Sequence, residues 1–156
     1  MSSITVVARQ AIPIVGLHIR TTMNTAPRDC AKLWREEFGP RMSEFSSCCT
    51  GESYGASWVV DEKTGAFDYW AAVPVPEEFP IPDGMARATL PAGLYAELAV
   101  PSLAVLADAY TRIFTSWLPQ QRAYILNERA PSYELYPADF LQTGALVLYF
   151  PVAARS

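Results

Sequence analysis

One histidine, His18, in 156 residues excludes any zinc site with two histidine ligands and any HExxH protease. The three cysteines, Cys30, Cys48 and Cys49, show no CxxC spacing. Their odd number, with two of them adjacent, argues against a disulfide framework and for a reducing compartment. Neither GxGxxG nor GxxxxGK[ST] occurs, so the glycine cradles for dinucleotides and triphosphates are missing, and no metal or cofactor is expected. Positive charge is also short. Twelve Lys and Arg against 16 Asp and Glu leave a net charge of −4, the wrong sign for a surface that neutralises phosphates, so direct nucleic-acid binding is not expected. No apolar run reaches the roughly 18 residues of a membrane span, and the first residues lack the basic head and apolar middle of a signal peptide. The expectation is a soluble, cytoplasmic protein without a membrane partner.

What is abundant is apolar and aromatic. Hydrophobic residues make up 51% of the chain and aromatics 12%, enough for a substantial core, while 13 prolines break the chain into short elements. The length suits one domain, taken as 1–156. Ile12–Thr21 reads as a strand. Thr25 as N-cap, Pro27 in the first turn and Asp29 near the N-terminus start a helix whose face is Cys30, Leu33, Trp34 and Phe38, stopped at Gly39-Pro40. Residues 43–53 read as a loop. Tyr54–Val60 and Ala66–Val75 form a hairpin around Asp61–Gly65.

After a proline-rich bridge, 74–84, the order repeats. Ala88–Leu98 reads as a strand, and Ser102 caps a helix striped by Leu103, Leu106, Tyr110, Ile113, Phe114 and Trp117 and ended by Pro119. Tyr133–Tyr136 and Ala145–Phe150 form the last hairpin. Pro13–His18 aligns with Leu90–Tyr95 on Gly16-Leu17 and Gly93-Leu94, which points to a duplication with repeats at about 4–75 and 86–152. The expected fold class is α+β: two tandem β-α-β-β units with antiparallel sheets and a pocket between the halves.

In that alignment Ala56 and Trp58 stand opposite Glu134 and Tyr136, so one half carries a charge where the other carries a methyl. Period-two geometry puts Glu134 and Tyr136 on one face and Tyr133 and Leu135 on the other. A carboxylate in an apolar cleft needs a partner or takes up a proton. The partner is either a cationic ligand sandwiched by Trp58, Tyr69, Tyr136 or Trp70, or an internal group such as Arg20, Arg87 or a backbone amide. For Trp34, Phe38, Phe114 and Trp117, on helix stripes, core packing is the expectation.

The ordered set Tyr54-Gly55 with Asp61, Phe67-Asp68-Tyr69, Leu90–Tyr95, Ser116–Pro119, Tyr133–Tyr136 and Tyr149–Val152 resembles the GyrI-like small-molecule-binding domains. These also occur as the effector-binding half of AraC-type and MerR-type multidrug regulators. The resemblance implies two SHS2-like β-α-β-β repeats with a pocket between them and a buried glutamate, matching Glu134, that meets cationic or polar aromatic compounds. No helix-turn-helix precedes residue 10, so the expectation is the sensor module in standalone form. Its pocket residues are then Glu134, Tyr136, Trp58, Tyr69 and Tyr149, and its role is binding amphipathic or cationic compounds in drug or toxin resistance. Two other branches give alternatives. One is a hydrolase that opens cyclopropane-containing genotoxins, with Glu134 as general base and a tyrosine among Tyr54, Tyr69, Tyr133, Tyr136 and Tyr149, for which Tyr136 is the first choice because it shares a face with Glu134. The other is an interaction protein acting on a partner such as gyrase.

Overall fold

The computed structural model describes residues 3–47 and 50–155; Cys48 and Cys49 lie outside the described residues. Among the described residues nine strands and three short α-helices follow one another as β1 (Thr5–Arg9), β2 (Ile12–Thr22), α1 (Ala26–Lys32), β3 (Ser53–Asp61), β4 (Ala66–Pro74), β5 (Ala86–Leu90), β6 (Gly93–Val100), α2 (Leu106–Thr111), β7 (Tyr124–Leu126), β8 (Ser132–Tyr136), α3 (Phe140–Thr143) and β9 (Leu146–Ala154). The strands make one antiparallel sheet in the order β1-β6-β9-β8-β3-β4-β2-β5, with β7 also on β9. Each half contains strand, helix, strand, strand (β2-α1-β3-β4 and β6-α2-β8-β9), with β1, β5, β7 and α3 besides, and the halves pair through β3–β8, β1–β6 and β2–β5. The α+β fold of two β-α-β-β units is thus as the sequence reads.

The breaks at Gln10-Ala11 and Pro91-Ala92 split two long strands that the sequence reading treated differently: β1 was not anticipated, and Ala88–Leu98 was read as continuous. Proline cannot donate to a ladder, which accounts for the second break. Across both breaks one register holds, from Thr5↔Glu97 through Arg9↔Gly93 to Ile12↔Leu90 and Gly16↔Ala86. The outermost strands are therefore chain neighbours of β2 and β6, and the sheet curls. Its inner face is filled by Ile14, Tyr54, Tyr95, Tyr133 and Tyr149. On the outer face, α1 with its continuation packs on Val15, Ala71 and Val73, and α2 on Ala96, Leu98 and Leu148. Over β3 and β8, between the two helical segments, the outer face is left open.

Both helices widen at the same place. After α1 the chain runs as a π turn, Leu33–Phe38, and a 3-10 stretch, Gly39–Phe45; after α2 it runs as Arg112–Trp117 and Leu118–Gln120. The Gly39 and Leu118 amides reach back five residues, to Trp34 and Ile113. The cause is the proline that follows each: Pro40 and Pro119 have no N–H, and their rings crowd the carbonyl four residues back, so the ladder shifts by one. A Cβ on Gly39 would sit 2.3 Å from the Trp34 carbonyl oxygen, so a side chain there would force the turn to shift, whereas the corresponding turn of the second half carries Leu118. The 3-10 stretch also places Phe45, read from sequence as loop, in the core.

Two local readings change. Thr25 sits at the N-cap and its carbonyl accepts the Asp29 N–H, but its hydroxyl bonds those of Thr21 and Thr22 instead of a helix amide. The alignment of Ala56 and Trp58 with Glu134 and Tyr136 is out by an odd number of residues. Ala56 and Trp58 face the inside of the curl, whereas Glu134 and Tyr136 face the helices. A one-residue slip flips every side chain to the other face, and loop lengths that differ between the halves hide such a slip in a sequence alignment.

Candidate functional site

The floor of the open groove is the β3–β8 pair, with the rungs Ser53↔Tyr136, Gly55↔Glu134 and Ser57↔Ser132. Glu134 is 4% exposed. Its Oε2 accepts a hydrogen bond from the hydroxyl of Tyr110 on α2, and its Oε1 accepts one from Tyr136 Oη at 3.2 Å. Beside it, Trp34 Nε1 donates to Tyr69 Oη at 2.7 Å, tying the α1 side to β4. Gly55 makes this convergence feasible: a Cβ there would lie 2.4 Å from Tyr69 Oη and 2.9 Å from Glu134 Oε1.

Among the described residues no cation neutralises Glu134. The ion pairs among the described residues are Arg20–Asp68, Arg28–Asp29 and Arg41–Glu44. Arg87 donates to the carbonyls of Glu77 and Phe79. Of the internal partners the sequence suggested, Arg20 and Arg87 are therefore engaged elsewhere. Burial pushes the Glu134 carboxyl up to about 7, against the opposing pull of the two tyrosine hydroxyls, which favour the anion. Burial, and then the charge of Glu134, hold the hydroxyls of Tyr69, Tyr110 and Tyr136 well above the ordinary phenol value, so all three stay protonated donors. Burial, aided by Glu134, pushes the Cys30 thiol up to about 12. Cys30 lines the groove as a weakly nucleophilic thiol.

Above this floor lies a cavity of about 1470 Å³, walled by Cys30 and Trp34 on one side, Leu106 and Tyr110 on the other, and Phe67 and Phe140 along its length. Ligand pockets typically span roughly 300–1,000 Å³, so this one accommodates a large guest. Among the described residues no three His, Cys, Asp or Glu side chains gather as a metal site would need, and no helix is long and apolar enough to cross a membrane.

Of the residues singled out from sequence, Glu134, Tyr136 and Tyr69 come together here. Trp58 and Tyr149 do not: they lie on the inner face. Trp58 meets Trp70 edge-on at 6.1 Å, and Tyr149 donates to Glu97 Oε2 at 2.8 Å. Trp70 stacks on His18 at 4.5 Å, and Tyr54 and Tyr133 accept from Arg9, also away from the cleft. Three groups were missed. Tyr110 and Trp34 were assigned to helix stripes; the signal was a phenol and an indole, each with a polar atom to satisfy, on otherwise apolar faces. Gly55 was noted as part of a motif without a role. Its signal was a glycine inside a strand, which marks a close approach.

Comparison with known proteins identifies the family and the fold. The family model described as "Integron-associated effector binding protein" (Cass2) matches residues 5–152. The transcriptional regulator BrlR of Pseudomonas aeruginosa is 32% identical over 119 residues, covering 74% of this chain and 42% of BrlR, so the chain spans less than half of that relative. Among solved structures, SAV2435 bound to tetraphenylphosphonium superposes with a TM-score of 0.76 at 15% identity, covering 97% of this chain and 94% of that one. A putative transcription regulation protein of Staphylococcus aureus MU50 gives 0.72 at 14% identity over 96% and 97%. At those identities the likeness is one of fold. With the family model covering nearly all of its length, the chain belongs to the integron-associated effector binding (Cass2) family, a GyrI-like fold.

Proposed function

We propose that the cleft binds amphipathic organic cations, with Glu134 as the fixed anion and the surrounding rings and aliphatic side chains as the apolar contact. The observation that carries this reading is a carboxylate, 4% exposed and without a basic partner among the described residues, on the floor of a 1470 Å³ apolar cavity. An unpaired buried anion costs several kcal/mol even after relaxation, on the order expected for such sites. A bound cation removes that cost, and a cation over an aromatic face adds roughly 0.5–2 kcal/mol. Support also comes from the ligand of SAV2435, a lipophilic cation in a similarly folded chain. The test is calorimetry with tetraphenylphosphonium and with neutral triphenylphosphine oxide. The cation binds and the neutral compound binds at least tenfold more weakly; equal affinities overturn the role of charge.

A second reading rests on the carboxyl being held near 7 between two phenolic donors. Glu134 takes a proton from water, the water oxygen bonds to a ring carbon of an activated cyclopropane, and the ring C–C bond breaks. The released electron pair takes up a proton from a tyrosine hydroxyl, which Glu134 then reprotonates. Mass spectrometry of a cyclopropane-bearing alkylator in ¹⁸O-water tests it. A labelled adduct formed by the parent and not by Glu134→Gln supports hydrolysis; equal rates remove it.

A further inference from the structure

Glu134 lies on the middle rung of the β3–β8 pair, and the cavity lining continues past both ends of that pair, to Gly51 and Pro137 on one side and to Val59 and Val60 on the other. Along β3 its rung, Gly55, is two residues from the Ser53 end, about 7 Å, and four residues from Val59, about 13 Å. The arm towards Val59 is floored next by the small side chains of Ser57 and Ser132 and then by valines, with the polar Glu62, Thr115, Asn127 and Glu128 also on the cavity lining. A bulge between Val59 and Asp61 breaks the strand alternation there, so two consecutive valines, Val59 and Val60, line the groove. Met23 and Phe114 line the same cavity. These side chains are not buried: Met23 is 72%, Val59 68% and Phe114 56% exposed. Among the described residues, six of the nine exposed large apolar side chains line this one cleft, all but Ile81, Val105 and Ile125. A compact cation seated at Glu134 would leave the arm towards Val59 wet.

We propose that the preferred ligand is an elongated, single-chain cationic amphiphile: an ammonium-type head at Glu134 and an unbranched alkyl or comparable apolar tail laid along β3 to Val59, Val60 and Phe114. The proposal rests on the cation reading above and adds to it the shape of the guest. A tail filling the arm is about ten to twelve carbons long, taking 13 Å from Glu134 to Val59 and the zigzag of ~1.5 Å bonds. Each methylene that enters the arm leaves water, so affinity rises roughly two- to fourfold per carbon and levels off once the tail passes Val59.

The test is calorimetry of the whole chain with alkyltrimethylammonium ions of six to sixteen carbons, each below its micelle concentration. Dodecyl sulfate is the anionic control and tetraphenylphosphonium the compact one. The expected result is a steep rise that flattens near twelve carbons, with dodecyl sulfate binding far more weakly than the dodecyl cation. Phe114→Ser, at an exposed position, weakens the dodecyl compound at least tenfold and leaves the hexyl compound and tetraphenylphosphonium within twofold. Affinity indifferent to chain length, or a Phe114→Ser loss equal for hexyl and dodecyl, overturns the proposal. Tetraphenylphosphonium then separates the cases. If it still binds in a Glu134-dependent way, the cation reading stands and only the elongated guest is wrong; if no cation binds, both fail.

Discussion

Replacing Glu134 by Gln should stabilise the free protein, and by an amount that depends on pH in a defined direction. In the unfolded chain a glutamate titrates at its ordinary value near 4.5, whereas in the fold burial raises it to about 7. Between those values the native state holds a proton that the unfolded state has released, so stability falls as pH rises through the interval and stays at the lower level above it. With about 1.4 kcal/mol for each unit of displacement, the parent loses ~3 kcal/mol between pH 4.5 and pH 8 from this group. The Glu134→Gln variant has no such term. Its glutamine keeps the shape, and the amide still accepts from one of Tyr110 and Tyr136 and donates to the other. Urea unfolding of parent and variant at matched pH therefore gives stabilities within about 1 kcal/mol near pH 4.5. The variant is ~3 kcal/mol more stable at pH 8, on the order of 10 °C in Tm for a chain of this length. All other titrations cancel in the difference. An offset that is the same at pH 4.5 and pH 8 would refute the claim that this carboxyl is buried without a counter-ion.

Four further outcomes follow from the same geometry. Tetraphenylphosphonium binding releases a proton below pH 7, because the cation selects the carboxylate; affinity drops about tenfold per pH unit under 7, and calorimetry in buffers of different ionisation enthalpy reads the proton directly. Tyr110→Phe removes a hydrogen bond to the charged form, worth roughly 1.5–3 kcal/mol, so the pH midpoint of cation binding moves upward by at least one unit; an unmoved midpoint contradicts the bond to Oε2. Gly55→Ala forces Tyr69 and Glu134 away from β3, and cation affinity falls at least tenfold; Gly55→Ala combined with Tyr69→Phe, which deletes the atom 2.4 Å away, recovers part of the loss in the same titration. Cys30, its thiol pushed up to about 12, reacts with a thiol reagent at pH 7.4 at less than a tenth of the rate of a free peptide cysteine, measured with Cys48 and Cys49 replaced by Ser.

Much of the fold was legible because both halves repeat strong local signals: apolar stripes at helical spacing, hairpin turns with glycine, and prolines that end helices. Glu134 stood out for a simple reason: a charge in an apolar strand demands a partner. What could not be read was the face of each ring. Trp58 and Tyr149 carry the same kinds of ring as Tyr69, and for these three strand residues only register decides which face they occupy; one residue of slip exchanges the faces. The strand β1 and the curl depend on pairing between residues about 90 apart, such as Thr5 with Glu97, which no local pattern encodes. Tyr110 was hidden by its own hydrophobicity. At helical spacing its ring reads as core, and its hydroxyl acquires meaning only when α2 is laid beside β8.

The most direct measurement is the titration of the Glu134 side chain itself, by carboxyl ¹³C NMR of selectively labelled protein, free and with tetraphenylphosphonium bound. The account predicts a midpoint of about 7 in the free protein, moving clearly downward when the cation is seated. A midpoint near the ordinary 4.5, unchanged by the cation, would contradict it.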